Sequence, residues 1–326
     1  MILQYLLEDV GVTKVIGTTN VKINKIEYDS KKITVGDIFV AIKGYADNGN
    51  NYINEAIKNG AVAVIIENDE QLSDEILKSE AITKIYVENT RVILALIASK
   101  YYDNPSKKLK LIGITGTKGK TTTAYMIRDI LIAAGKKVGM IGTICTTYEA
   151  VVIESVRTSP ESLELQKLFK DMVDSEIEYV VMEVSSHALS LDRVYGLRFA
   201  ISVFTNLSEE HLDFHKTMEE YLQAKSKLFQ ISDFALINGD DIHSSELLKM
   251  IPCKVAKFGL DNEVNLSAAD IRVNGSYVEF KMYINKMLET IRINIPGRFT
   301  VYNALAAIGV CSMLRMSNGF NNFSIS

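Results

Sequence analysis

The stretch Leu111-Ile112-Gly113-Ile114-Thr115-Gly116-Thr117-Lys118-Gly119-Lys120-Thr121-Thr122-Thr123 decides how the chain around it folds. An apolar run (Leu109, Leu111, Ile112, Ile114) reads as a buried strand and meets a turn carrying Gly116 and Gly119. A helical pattern follows, with Tyr125, Met126, Ile127, Ile130 and Leu131 apolar and Gly135 at its end. Strand, glycine turn and helix in that order make a phosphate cradle: glycines let backbone N–H groups approach an anion, and the helix N-terminus adds partial positive charge. Lys120 is spaced to reach the terminal phosphates of a nucleoside triphosphate, and the Thr121 hydroxyl to ligate magnesium. Gly116, Thr117, Lys118, Gly119, Lys120, Thr121 and Thr122 are the expected nucleotide contacts. A strict G-x-x-x-x-G-K-T loop would need glycine at 114, where this chain has Ile114.

Composition sets outer limits. At 326 residues the chain is long enough for two domains and a large core, and 47% hydrophobic with 23% charged residues is ordinary for a globular protein. A net charge of -4 leaves no cationic excess to neutralise a nucleic-acid backbone, so an anion must be bound at a local site. Cys145, Cys253 and Cys311 are odd in number and widely spaced, which supports neither a disulfide framework nor a zinc site. The N-terminus lacks the basic segment of a signal peptide, and Glu8 and Asp9 cut its apolar patch short. With no run of some 18 apolar residues, no membrane insertion and a cytoplasmic location are expected.

Working outward, residues 1–106 read as a small α/β domain. Its expected strands are 23–28, 37–42, 61–66 and 84–87, its helices 52–59 and 90–102, and Asn104-Pro105-Ser106 marks the boundary. Residues 107–316 alternate strand and helix in the manner of a mostly parallel sheet covered on both faces. Strands are expected at 138–144, 179–184, 200–205, 234–237 and 255–258, and helices at 162–175, 218–230 and 300–314. Alternating apolar runs around Asn274-Gly275, and a third after Asn285-Lys286, predict an antiparallel β addition. The tail 317–326 is polar and expected to fray. The fold class is thus α/β, a small N-terminal domain followed by a phosphate-loop ATPase domain.

Several polar groups fall at carboxyl ends of the expected parallel strands, where ligands gather. Glu183 ends Tyr179-Val180-Val181-Met182 beside the phosphate loop, where a magnesium-binding carboxylate is needed. His211, Asp213 and His215 follow Thr205-Asn206-Leu207-Ser208, a spacing shared by metal sites and hydrogen-bonded loops. Lys225 on the following helix reads by residue type as a solvated charge. Asp29-Ser30-Lys31 reads as a turn able to offer the Ser30 hydroxyl, and Thr158-Ser159-Pro160 as ordinary helix capping.

Together these motifs resemble the Mur ligases. The loop Thr115-Gly116-Thr117-Lys118-Gly119-Lys120-Thr121 is similar to theirs and to that of their relative folylpolyglutamate synthetase. Asp29-Ser30-Lys31 with Gly36-Asp37-Ile38-Phe39-Val40-Ala41 resembles their amino-terminal domain. Glu183-Val184-Ser185-Ser186-His187-Ala188-Leu189 resembles the members that add the third residue of the peptidoglycan stem peptide. The resemblance implies an ATP- and magnesium-dependent ligase in which a carboxylate of UDP-N-acetylmuramoyl-L-alanyl-D-glutamate is activated as an acyl phosphate and captured by meso-diaminopimelate or L-lysine. It implies that Lys120, Glu183, His211 and Lys225 are catalytic, with Lys225 carbamylated by carbon dioxide. Thr121, Glu183, His211 and the carbamate would hold metal. Ser30, Thr158, Ser159, Ser185 and Arg193 would contact the UDP substrate, although Leu191 stands where some relatives carry glutamine. Asn303, in Gly297-Arg298-Phe299-Thr300-Val301-Tyr302-Asn303, would bind ATP, and Thr300 replaces the commoner first asparagine.

Mur ligases continue into a third domain that closes over ATP and binds the incoming amino acid. These 326 residues hold no counterpart of it, so the expectation is a chain that binds its substrates but turns over poorly or not at all. Two other readings stay open: a non-catalytic nucleotide or UDP-sugar binding module, and a folylpolyglutamate synthetase-like ligase. Asp29-Ser30-Lys31 argues against the second.

Overall fold

The computed structural model describes residues 1–44, 48–68, 81–260, 263–284 and 287–316. The expected fraying of 317–326 and the expected turn at Asn285-Lys286 lie outside the described residues. The chain forms two compact units. The first is Met1–Pro105 with Glu161–Asp171 and Leu191–Gly196; the second is Ser106–Pro160, Met172–Ser190 and the chain from Leu197 onward.

The first unit is built on a sheet ordered β1-β5-β4-β3-β2. The strands are β1 (Val12–Ile16), β2 (Ile26–Glu27), β3 (Asp37–Val40), β4 (Ala61–Ile66) and β5 (Thr83–Val87), with helices α1 (Leu3–Leu7), α2 (Ile53–Lys58) and α3 (Thr90–Tyr101). β1 runs antiparallel to β5, and the other pairs are parallel. The continuous apolar run of β4 is explained by burial on both faces. Ala63 and Ile65 join Ile38, Val40 and Ile85 against Leu94 and Ile97 of α3. Val64 and Ile66 join Phe39 against Ala56 and Ile57 of α2. Asn89 caps α3, its side chain accepting from the Arg91 and Val92 amides. Neither α1 nor β1 carries a sequence signal: α1 spans only five residues, and β1 is an edge strand whose three central residues are exposed.

The second unit holds a sheet ordered β14-β13-β12-β11-β6-β10-β7-β8-β9. Its strands are β6 (Lys110–Thr115), β7 (Val138–Ile141), β8 (Cys145–Tyr148), β9 (Val151–Glu154), β10 (Tyr179–Glu183), β11 (Phe199–Phe204), β12 (Ser232–Asn238), β13 (Lys254–Gly259) and β14 (Leu266–Ser267). All pairs from β14 to β7 are parallel, and β8 and β9 continue antiparallel. In chain order the helices are α4 (Lys120–Ala133), α5 (Ser162–Asp174, whose residues up to Asp171 belong to the first unit), α6 (Ser186–Ser190), α7 (Leu212–His215), α8 (Met218–Gln230), α9 (Ser244–Lys249) and α10 (Phe299–Met316). α4 and α10 cover one face, packing Ala124, Ile127, Leu131, Leu305 and Val310 with Ile112, Ile114, Val203 and Leu236. On the other, Leu222 and Phe229 of α8 pack with Phe204, Ala235 and Ile237. The antiparallel addition is β15 (Ala269–Val273), β16 (Val278–Ile284) and β17 (Met287–Ile293), and Val278, Phe280 and Met282 of β16 alternate into the α4–α10 core.

One expected strand is corrected. Of the apolar run 138–144 only Val138–Ile141 is strand (β7), and the chain turns over 142–144 into antiparallel β8, which begins at Cys145. The turn lies against Glu183: a Cβ at Gly142 would meet its Oε1, so the carboxylate would have to move to admit one. Among the described residues no helix is long and apolar enough to cross a membrane.

Candidate functional site

The carboxyl ends of β6, β7, β10 and β11 bring the chemistry of the second unit together. The loop after β6 is pinned by the end of β11. The Thr117 amide donates to Asn206 O at 2.8 Å and the Lys118 amide to Asn206 Oδ1 at 2.9 Å, while Asn206 Nδ2 and Thr205 Oγ1 donate back to Lys118 O at 2.9 and 2.7 Å. Gly116 makes the approach feasible, since at φ +147 a side chain there would fall on Thr205 Oγ1. Lys120 folds back over the loop and donates to Gly116 O and Thr117 O, both at 2.8 Å. Burial lowers its pKa against the opposing pull of Glu183 and Glu210. Lys118 is exposed, Thr122 is half-buried in the first turn of α4, and Asn303 accepts from Thr123 Oγ1 at 3.4 Å while its amide oxygen presses on Gly119.

Glu183, 1% exposed, ends β10 one strand away from the loop. Its Oε2 accepts from Thr121 Oγ1 at 2.9 Å and Thr143 Oγ1 at 3.0 Å, and its Oε1 from the Thr143 amide at 3.0 Å. A buried carboxylate shared with a hydroxyl at the head of α4 is a hard-oxygen donor set suited to magnesium.

Lys225 is 1% exposed on α8, which corrects the reading of a solvated charge. Its Nζ donates to Gly116 O at 3.0 Å and lies 4.3 Å above the Tyr221 ring. Burial, then the neighbouring Lys120 charge, pushes its pKa well below the ordinary lysine value, with Glu210 opposing. The shift favours the neutral amine, the form of a lysine that takes up carbon dioxide. Tyr221 stacks on His215 at 4.9 Å, and its hydroxyl lies 3.4 Å from Thr117 Oγ1. His215 Nε2 is 2.8 Å from Ser186 Oγ, while burial and the charges of His187, Lys225 and His211 lower its pKa to about 4. His211 is exposed, in a left-handed conformation at φ 57, with its ring 4.9 Å from that of His187. Among the described residues no three His, Cys, Asp or Glu side chains are gathered to hold a metal.

The expected substrate residues divide between the units. In the second, Ser159 is fully buried, and its Oγ donates to Glu183 O at 2.9 Å and accepts from the Ser185 amide at 3.1 Å. Thr158 Oγ1 is 3.1 Å from Thr143 Oγ1. In the first, Ser30 Oγ donates to Glu55 Oε2, and Arg193 Nε pairs with Glu161 Oε1 at 2.9 Å, whose Oε2 receives Arg91 at 2.9 Å. Thr143, Asn206 and Tyr221 were not singled out as functional from sequence. For the first two the available signal was position, each lying just past the carboxyl end of a parallel strand.

The sequence profile of the Mur ligase middle domain matches residues 114–311, and that of the Mur ligase family, catalytic domain, matches 22–102. A protein of Clostridium botulinum named UDP-N-acetylmuramoyl-L-alanyl-D-glutamate--2,6-diaminopimelate ligase is 47% identical over 290 residues, covering 89% of this chain and 59% of its own length. A protein of the same name from Clostridium perfringens is 44% identical over 317 residues, covering 96% and 64%. The chain thus spans about three fifths of the length of these relatives. A solved structure of a ligase of that name superposes with a TM-score of 0.83 at 24% identity, over 100% of this chain and 64% of that one, which establishes a common fold.

Proposed function

The chain belongs to the Mur ligase family, and we propose that it serves as an ATP-dependent ligase of peptidoglycan precursor synthesis. In this reading a D-glutamate carboxylate of UDP-N-acetylmuramoyl-L-alanyl-D-glutamate attacks the γ-phosphate of ATP. ADP leaves, and the amine of 2,6-diaminopimelate displaces phosphate from the acyl phosphate to form the amide. Diaminopimelate is preferred to L-lysine because both relatives described above are named for it. The substrates, a nucleoside triphosphate and a nucleotide sugar, place the reaction in the cytoplasm.

The observation that carries this reading is the Glu183 carboxylate, buried and held by Thr121 and Thr143 at the end of β10 beside the phosphate loop. In the proposed mechanism the loop amides and Lys120 bind the phosphates, and Asn303 contacts the nucleotide. Thr121 and Glu183, with His211 and a carbamate on Lys225, would hold magnesium, which supplies charge neutralisation at the γ-phosphate when bound. Lys120 gives up its loop carbonyls for phosphate oxygens, a favourable exchange for a buried ammonium. Ser30, Thr158, Ser159, Ser185 and Arg193 are the proposed contacts for the UDP substrate.

The test is ADP formation by the 326-residue chain with magnesium, bicarbonate and ATP, with and without the UDP-muramoyl dipeptide and each diamino acid. Slow ADP formation that requires the dipeptide and is lost in Lys120→Ala is the expected result. ADP formation indifferent to the dipeptide would overturn it.

A further inference from the structure

Thr143 stands at a junction that no step above uses. It is exposed, it follows a glycine that only the absence of a side chain lets approach Glu183, and it makes two bonds to that carboxylate, amide to Oε1 and hydroxyl to Oε2, each at 3.0 Å. Its hydroxyl oxygen is also 3.1 Å from Thr158 Oγ1. The Thr143 hydroxyl is placed to donate to Thr158 Oγ1 as well as to Glu183 Oε2, and with one proton to give it favours the ionised carboxylate, the stronger acceptor. Glu183 and Thr158 thus compete for the Thr143 proton, and Glu183 also takes Thr121 at the head of α4.

We propose that Thr143 is a positioning residue that fixes the Glu183 carboxylate for magnesium and couples it, through its hydroxyl, to Thr158 in the loop that precedes α5. The proposal rests on the reading of Glu183 as a metal-holding carboxylate. A cation shared by Thr121 and Glu183 replaces the hydrogen bond between those two side chains. Of the bonds described for the carboxylate, those from Thr143 then remain to set its orientation. Outer partners of this kind govern metal affinity by about 10- to 100-fold. A ligand that engages the Thr158 hydroxyl acts on the same chain of bonds, so acceptor and metal are sensed by one residue.

The test compares Thr143→Val, which keeps the amide and the shape but removes the hydroxyl, with Thr143→Ser, which restores it. Binding of a non-hydrolysable ATP analogue to the full chain is titrated with magnesium and with EDTA, alongside the melting temperature. Because Thr143 is exposed, Thr143→Val is expected to melt within a few degrees of the parent. It should lose about tenfold of the magnesium-dependent gain in affinity, with magnesium-free binding changed less than about twofold; Thr143→Ser should recover most of the gain. Thr158→Val, which removes the competing acceptor, should raise the gain by about threefold in the parent and not at all in Thr143→Val. An undiminished gain in Thr143→Val, or equal loss in the Val and Ser variants, would overturn the proposal. So would a Thr158→Val effect that persists without the Thr143 hydroxyl. Should Thr143→Val fail to fold, the Ser and Thr158→Val variants decide: loss in the former or no rise in the latter contradicts it. A parent chain that binds the analogue equally with and without magnesium fails the reading of Glu183 itself, an outcome distinct from failure of Thr143 alone.

Discussion

Lys225 and Lys120 both reach the Gly116 carbonyl, so two ammonium groups compete for one acceptor beneath the phosphate loop. Burial lowers the pKa of both, and at Lys225 the Lys120 charge adds to it and takes that lysine well below its ordinary value. The same enclosure acts on His215, whose pKa falls from 6.5 to about 4 through burial first and then the His187, Lys225 and His211 charges. Between those two pH values the unfolded chain binds a proton at this position and the folded chain does not. Stability therefore rises with pH through the window, and is fully present only above 6.5. Urea denaturation should show the parent losing stability relative to His215→Gln as pH falls from 6.5 to 4, and a constant difference between the two would contradict the assignment.

At the scale of elements, the unit β6–loop–α4 works only because β11 buttresses it. Gly116→Ala forces a side chain onto Thr205 Oγ1 at a φ of +147, disturbing the bonds from Thr205 and Asn206 that hold Lys118. The variant is expected to lose about 1–3 kcal/mol of stability and at least tenfold in nucleotide affinity, read by denaturation and by titration with ATP. Unchanged affinity would show that the loop's shape is not what binds phosphate. The elements legible in the sequence are those whose own pattern suffices. β4 falls at Ala61–Ile66 and α8 at Met218–Gln230 as read, because a doubly buried strand and an amphipathic helix each carry a full period. The hairpin at Asn274-Gly275 is legible through its turn. What was missed depends on partners distant in sequence. Val138 to Ile144 looks like one strand until the Glu183 carboxylate fixes the turn at Gly142-Thr143. Lys225 looks solvated until the Gly116 carbonyl, brought from another element, covers it.

For the whole molecule, the division into two units is more interlaced than a linear reading allows. Residues 161–171 and 191–196 belong to the first unit although the chain reaches them from the second. A local pattern cannot carry that, since the helix of α5 is amphipathic whichever unit buries it. In the first unit Glu161 takes both Arg91 and Arg193, so the proposed substrate contact of Arg193 begins from a guanidinium already held. With a net charge of -4 over the chain, any anionic substrate has to be held by local cationic groups, and Arg193 in the first unit and Lys120 in the second are the ones proposed. The central claim is that this chain binds a nucleotide-linked muramoyl dipeptide together with ATP. Its most direct test is calorimetric titration of UDP-N-acetylmuramoyl-L-alanyl-D-glutamate into the chain with magnesium and a non-hydrolysable ATP analogue. Saturable one-to-one binding, weakened at least tenfold by Arg193→Ala with the analogue still bound, is the predicted result; binding of the analogue with no heat from the dipeptide would contradict it.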